Sequence, residues 1–214
     1  MKIKFIVAPQ TNPDPYWKPL PPLGVATLTS FLKEREFEVD QDDLDIKTIH
    51  GNRESFNRLD KLNLNPFRAK KKVKDWLLDR TSDNYLDYLV NKLLSKTNYR
   101  GFDVVCISMA TRSHQLMPAL CIAKKIKQDT DSTVILGGRR IYPEILEKYD
   151  FIDYGLLEDT GKSLLELLKY IKGDKSIKLS EIPNLMFRNN NQVRIGPEFK
   201  FNMDEINFPD YSGL

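Results

Sequence analysis

Val104-Val105-Cys106-Ile107-Ser108-Met109-Ala110-Thr111 is an unbroken apolar run that gives way to small and polar residues. A strand that is apolar at successive positions is buried on both faces, the habit of parallel sheets covered by helices. The same unit recurs to either side. Thr133-Val134-Ile135-Leu136 gives way to Gly137-Gly138, and Lys4-Phe5-Ile6-Val7 to Ala8-Pro9-Gln10-Thr11. In an open parallel sheet these endings line up along the carboxyl edge, and ligands bind in the crevice outside it, where the strand order reverses. Two bare glycines after a buried strand let a bulky group lie against the backbone, because no Cβ stands in the way. The pattern predicts a binding site at the strand ends for a large, flat-sided ligand.

Outward from these strands, hydrophobic periodicity predicts the rest. A Pro-rich loop, Pro13 to Pro22, leads into a helix from Leu23 to Glu36 with Leu23, Ala26, Thr27, Leu28, Phe31 and Leu32 on one face. A strand at Glu38 to Leu44 follows, then an irregular insertion at 46–100 with a helix whose apolar residues include Tyr85, Leu86, Leu89, Leu93 and Leu94. Helices at Gln115 to Lys127, Pro143 to Lys148 and Lys162 to Ile171 alternate with strands at Thr133 to Leu136 and Phe151 to Tyr154. Leu185-Met186-Phe187-Arg188 and Gln192-Val193-Arg194-Ile195 flank Asn189-Asn190-Asn191, a β-hairpin signal. The expected architecture is α/β, doubly wound, with a flavodoxin-like parallel five-stranded sheet, an insertion after the second strand and a C-terminal β-hairpin extension. The expected domains are 1–173, with the helical insertion at 46–100, and a hairpin and linker at 174–214.

The chain has 214 residues, 41% hydrophobic and 29% charged, enough for one core plus an appendage and too polar for a membrane protein. The apolar part of the N-terminus is too short for a signal peptide and turns at Pro9, so a cytoplasmic location is expected. Cys106 and Cys121, one on a strand and one on a helix, form neither a disulfide framework nor a metal-ligand spacing, and read as buried thiols. The net charge is +3, and its one concentration is Arg68-Ala69-Lys70-Lys71-Lys72-Val73-Lys74. With Trp76, Leu77 and Leu78 following, that run reads as a solvated helix face, so nucleic acid is not expected as a partner.

Other motifs carry less. Gly155-Leu156-Leu157-Glu158-Asp159-Thr160-Gly161-Lys162-Ser163 resembles a phosphate-binding loop, but five residues intervene where four are needed, and Glu158-Asp159 would sit against the phosphates. A phosphate- or nucleotide-binding enzyme through Gly155 to Ser163 is thus the weakest of three functional readings. Asp40, Asp42, Asp43 and Asp45 could suggest a magnesium site but read as a solvated strand terminus. Of two histidines, His50 reads as a surface residue in the insertion, while His114 opens the helix after the third strand, on the ligand edge.

Pro21-Pro22-Leu23-Gly24-Val25-Ala26-Thr27-Leu28, the strand ending Ile107 to Thr111, Leu136-Gly137-Gly138, Asp153-Tyr154-Gly155 and Ile206-Asn207-Phe208-Pro209-Asp210-Tyr211 form an ordered set. Together they resemble the N-terminal cobalamin-binding domain of cobalamin-dependent radical S-adenosylmethionine enzymes. In that family a Ser-x-small element precedes the double glycine at a fixed interval, and here 26 residues separate Ala110 from Gly137. The resemblance implies base-off cobalamin, with Ser108 near the benzimidazole of the nucleotide tail and Gly137-Gly138 leaving room beside it. It implies a corrin lying over Pro9, Gln10, Thr11 and Asn12, over Met109, Ala110, Thr111 and Arg112, and over Gly155, Leu156 and Leu157. Leu23, Gly24, Arg139 and Glu158 complete the implied cofactor contacts.

Four departures stand out. The Asp-x-His-x-x-Gly element is missing from the first loop, which leaves water, nothing, or a neighbour such as Thr111 or Arg112 below the cobalt, with His114 a further candidate neighbour. The usual Gly-Glu-Gly-Glu is here Gly155-Leu156-Leu157-Glu158, and Arg139-Arg140 stand where Pro-His is usual. The family's Cys-x-x-x-Cys-x-x-Cys triad for a [4Fe–4S] cluster cannot be supplied by two cysteines with 14 residues between them. The expectation is a truncated cobalamin-binding module of a radical S-adenosylmethionine enzyme, a methyltransferase, that does not catalyse alone. S-adenosylmethionine and the cluster are expected only in an absent barrel of the same polypeptide. The alternative is a vestigial cobalamin-type fold used as an interaction or substrate-docking domain through the insertion.

Overall fold

The computed structural model describes residues 1–11, 22–49, 63–109, 113–138, 141–157, 161–190, 192–199 and 207–214. In chain order its elements are β1 (Lys2–Val7), α1 (Leu23–Lys33), β2 (Glu38–Asp43), α2 (Leu44–Ile49), α3 (Lys70–Leu77), α4 (Asn84–Leu94) and β3 (Val104–Met109). They continue with α5 (Leu116–Asp129), β4 (Thr133–Gly138), α6 (Pro143–Lys148), β5 (Tyr154–Leu157), α7 (Gly161–Ile171), β6 (Leu185–Asn189) and β7 (Gln192–Ile195). The seven strands form one sheet in the order β2-β1-β3-β4-β5-β6-β7. The first five are parallel, in the expected flavodoxin-like order, and β6 and β7 pair antiparallel. The hairpin therefore continues the sheet through β5 and is not a separate appendage.

Strand alternation sorts the core into two layers. Ile6, Val105, Ile107, Met109, Val134 and Leu136 pack under α2 to α6. Ile3, Phe5, Val7, Val104, Cys106 and Ile135 pack under α1 and α7. Both cysteines are buried free thiols, and burial pushes the Cys106 thiol up to about 12, so each acts as a small apolar side chain.

Local boundaries differ from the sequence reading where backbone geometry intervenes. Helix α1 stops at Lys33 because the chain must turn into β2, which it does through Glu36 at φ +62° and a Phe37 N–H donating to Leu32 O. Strand β5 starts at Tyr154, three residues later than the apolar pattern suggests. Phe151 and Ile152 are buried in the preceding turn, and the Asp153 carboxylate accepts from Val134 N and Lys127 Nζ. Arg188 of β6 locks that turn by donating to the carbonyls of Leu146, Tyr149 and Ile152.

The insertion is docked through two buried lysines. Lys124 of α5, 4% exposed, donates to Trp76 O and Asp79 at the end of α3. Lys4 of β1, 1% exposed, pairs with Asp42 at 2.5 Å and Asp40 at 2.6 Å, and Asp42 is also bonded by Lys47 and by Thr97 beyond α4. Of the four acids read as a solvated terminus, only Asp40 is exposed, and Asp42, Asp43 and Asp45 are buried. Burial works to raise the Asp42 carboxyl, and the bonds from Lys4, Lys47 and Thr97 outweigh it, holding it below its ordinary value. Residues 207–214 return to α1 and β2. Asp210 N donates to Ala26 O, its carboxylate accepts from Lys33, and Gln41 Nε2 donates to the carbonyls of Asp210 and Ser212.

Candidate functional site

The register places Val7, Ser108, Gly137 and Leu156 in one row across β1, β3, β4 and β5, on the layer facing α1 and α7. Asp43 of β2 continues the row beyond Val7. These residues are the last or next-to-last of their strands, so the row is a shelf along the carboxyl edge. Val7 is buried, whereas Ser108, Gly137 and Leu156 are each partly exposed. No hydrogen bond within the described residues engages the Ser108 hydroxyl. Among the described residues a Cβ added at Gly137 would find only Ile107 O, at 3.9 Å, so they leave space above the shelf.

Gly138 serves differently. Its φ is +142°, and an added Cβ would lie 2.3 Å from Met109 O, so the backbone itself demands glycine there. The room that the double glycine suggests therefore comes from Gly137 alone. Both lie inside β4, as Ser108 and Met109 lie inside β3 and Gly155 and Leu156 inside β5. Gly155 faces the opposite layer, where a Cβ would come within 2.8 Å of Met186 Cε. Met109 also faces that layer and is buried. Gly161, the first residue of α7, lies so close to Phe31 that a Cβ would sit 2.9 Å from the ring. Packing thus accounts for both outer glycines of the phosphate-loop-like element.

The first loop is tied down on both sides of β1. Gln10 N and Nε2 donate to the two oxygens of Asp45, at 2.7 and 2.9 Å. Thr11 donates through N–H and hydroxyl to His114 O, and Gln115 Nε2 donates to Ala8 O at 2.6 Å. These bonds draw together the loops after β1 and β3, the two strands between which the order reverses. Pro9, Gln10 and Thr11 are buried, while Leu23, Gly24 and His114 are exposed. Two buried acceptors are left over, Gln10 Oε1 and Gln115 Oε1, because both amide nitrogens are already committed. Asn12, Ala110, Thr111, Arg112, Arg139, Glu158 and His50 lie outside the described residues.

Asp43 was missed as a member of this row. Burial, with the Asp45 charge adding to it and the Ile46 N–H opposing it, pushes its carboxyl up to about 6. The only sequence signal was its place at the end of β2, opposite Val7. Among the described residues no group of three or more His, Cys, Asp or Glu is placed to hold a metal ion. No helix among them is long and apolar enough to cross a membrane.

No protein-family profile and no curated protein matches this chain. Solved structures do. The chain matches the radical S-adenosylmethionine methyltransferase TsrM from Kitasatospora setae, solved with cobalamin and a [4Fe–4S] cluster bound, at 16% identity and a TM-score of 0.52. The match covers 99% of this chain and 32% of that one. It matches the cobalamin-dependent S-adenosylmethionine radical enzyme OxsB, solved with aqua-cobalamin and S-adenosylmethionine bound, at 17% identity and a TM-score of 0.58, covering 98% of this chain and 24% of that one. Apo OxsB gives 16% identity, a TM-score of 0.59 and the same coverage. At such identity the likeness is one of fold. By that fold the chain's solved neighbours are cobalamin-dependent radical S-adenosylmethionine enzymes, of whose length it spans 24–32%.

Proposed function

We propose that this chain is the cobalamin-binding module of a radical S-adenosylmethionine enzyme of the methyltransferase class. The observation that carries the reading is the shelf, on which a free hydroxyl at Ser108 stands beside an open Gly137 at the switch point of the sheet. The residues fit a base-off cobalamin. Gly137 leaves the space that a planar heterocycle needs, and Ser108 offers a hydroxyl to its polar edge. Gln10 Oε1 and Gln115 Oε1 are buried acceptors that suit a ligand rich in amide N–H donors, each costing about 1–3 kcal/mol while unpaired. Pro9 to Thr11 and Leu156 border the crevice the corrin would cover, with Leu23 and Gly24 exposed on the α1 side. When bound, methylcobalamin supplies a transferable methyl group, and the protein contributes position and polarity. The cluster and S-adenosylmethionine belong, in this reading, to a region of the enzyme that this chain does not contain.

The test is an absorbance titration of the folded chain with hydroxocobalamin and methylcobalamin. Saturable binding with a base-off spectrum is expected, and Gly137→Trp should abolish it without unfolding the chain. Absence of binding up to about 100 µM cofactor overturns the proposal. A second reading, an interaction or docking platform built on the insertion, is favoured by one observation. The outer surface of α3 and α4 exposes Lys70, Lys71 and Lys72 beside Tyr85 and Tyr88.

A further inference from the structure

The lysine run that opens α3 is an electrostatic oddity. Its first turn contains Lys70, Lys71 and Lys72 with no acid, and Ala69 at the N-cap offers no side-chain cap. Positive charge at the positive end of a helix is unfavourable. The next helix follows the ordinary rule. Asp83 caps α4 by accepting from Tyr85 N and Leu86 N, and Lys72 beside it holds its carboxyl below the usual value. Arg68, Lys70, Lys71 and Lys74 have no acidic partner among the described residues. Four unpaired cations within seven residues make this a strong local field.

The folded chain adds what the run itself lacks. An open groove of about 670 Å³ lies between the start of α3 and the turn before α4, lined by Ala69 to Lys72, Asp75, Thr81 and Ser82. Lys72 Nζ reaches Asp83 at 2.6 Å, two residues before Tyr85, so the lysines and the outer face of α4 share one surface. On that face Tyr85 and Tyr88 are 47% and 55% exposed, with ring centroids 6.2 Å apart and planes 19° from parallel. A pair of exposed, nearly parallel aromatic rings beside unpaired cations is the arrangement that holds a single strand, with phosphates on the cations and bases on the rings. An acidic peptide would use the cations and leave the rings idle.

We propose that the α3–α4 surface binds single-stranded nucleic acid, phosphates along Lys70, Lys71 and the groove at Thr81 and Ser82, bases on Tyr85 and Tyr88. This rests on the docking reading of the insertion and gives it a partner, and it is independent of the cobalamin site. The experiment is fluorescence anisotropy of the full chain, without cofactor, against labelled single strands of RNA and DNA about twelve nucleotides long. Saturable binding is expected, weakening about thirty- to fiftyfold between about 50 and 200 mM salt for some four neutralised phosphates. Lys70→Ala with Lys71→Ala should cost at least about tenfold. Tyr85→Ala with Tyr88→Ala should cost at least about fivefold. All four side chains are exposed, so each variant should fold, which circular dichroism checks. Equal binding of the duplex, or wild-type affinity in the tyrosine variant, overturns the proposal. If a polyglutamate peptide binds and the oligonucleotides do not, the platform stands and its partner is an acidic peptide. If neither binds, the platform reading falls with the proposal.

Discussion

The two layers of the sheet end differently at the carboxyl edge. Under α2 to α6 side chains stay packed close to the strand ends, with Met109 and Leu136 buried and Leu157 packed against the same core. Under α1 and α7 they end in Ser108 and Gly137, and space opens above them. Neighbouring glycines show the contrast most sharply, since Gly137 faces the open side and Gly138 is pinned against Met109 O. Glycine here has two meanings, room for a ligand at one position and backbone necessity at the next.

The largest effect should come from the filled layer. Asp42→Ala leaves Lys4 buried with Asp40 as its remaining acidic partner, and should cost about 3–5 kcal/mol in urea denaturation. A loss below about 1 kcal/mol would mean that this layer can relax as freely as the other. Next, Gly138→Ala should lose about 3 kcal/mol or more, while Gly137→Ala stays within about 0.5 kcal/mol. Equal losses at the two positions would erase the contrast.

The third prediction concerns the end of the open row. Asp43 binds its proton more tightly folded than unfolded, its pKa rising from 3.8 to about 6. Its contribution to stability is present below pH 4 and is lost as pH rises through 6, by up to about 3 kcal/mol. Asp43→Asn keeps an acceptor for Ile46 N and should flatten the profile between pH 4 and 6. The carboxyls of Asp42, Asp83 and Asp129 are lowered and lose their contributions only below that window. A variant profile that still falls between pH 4 and 6 would place the titration elsewhere.

Much of this was legible in the chain because buried parallel strands are written as unbroken apolar runs, and because Gly, Ser and Pro mark their ends. What escaped has physical causes. Charged residues at a strand end read as solvated, and nothing local announces that Lys4 will be buried between Asp40 and Asp42 of the neighbouring strand. Residue type counted Tyr85 among the apolar residues of α4, where the fold buries Val90 and turns Tyr85 outward. An amphipathic ring satisfies either side. The difference between Gly137 and Gly138 is one of φ and of distance to a neighbouring strand, neither of which the residue type records.

The return of residues 207–214 also lays a segment of the chain along one edge of the sheet. A sheet with two free edges can add strands without limit, edge to edge. Here Gly213 lies against Gln41 O on β2, where an added Cβ would come within 3.4 Å, and Gln41 itself holds Asp210 and Ser212. The chain's own segment thus lies beside the β2 edge, while β7 presents Gln192, Arg194 and Ile195 outward at the other end of the sheet. Releasing residues 207–214, by cutting the Lys33–Asp210 and Gln41 contacts, would expose the backbone of β2 for pairing with another strand.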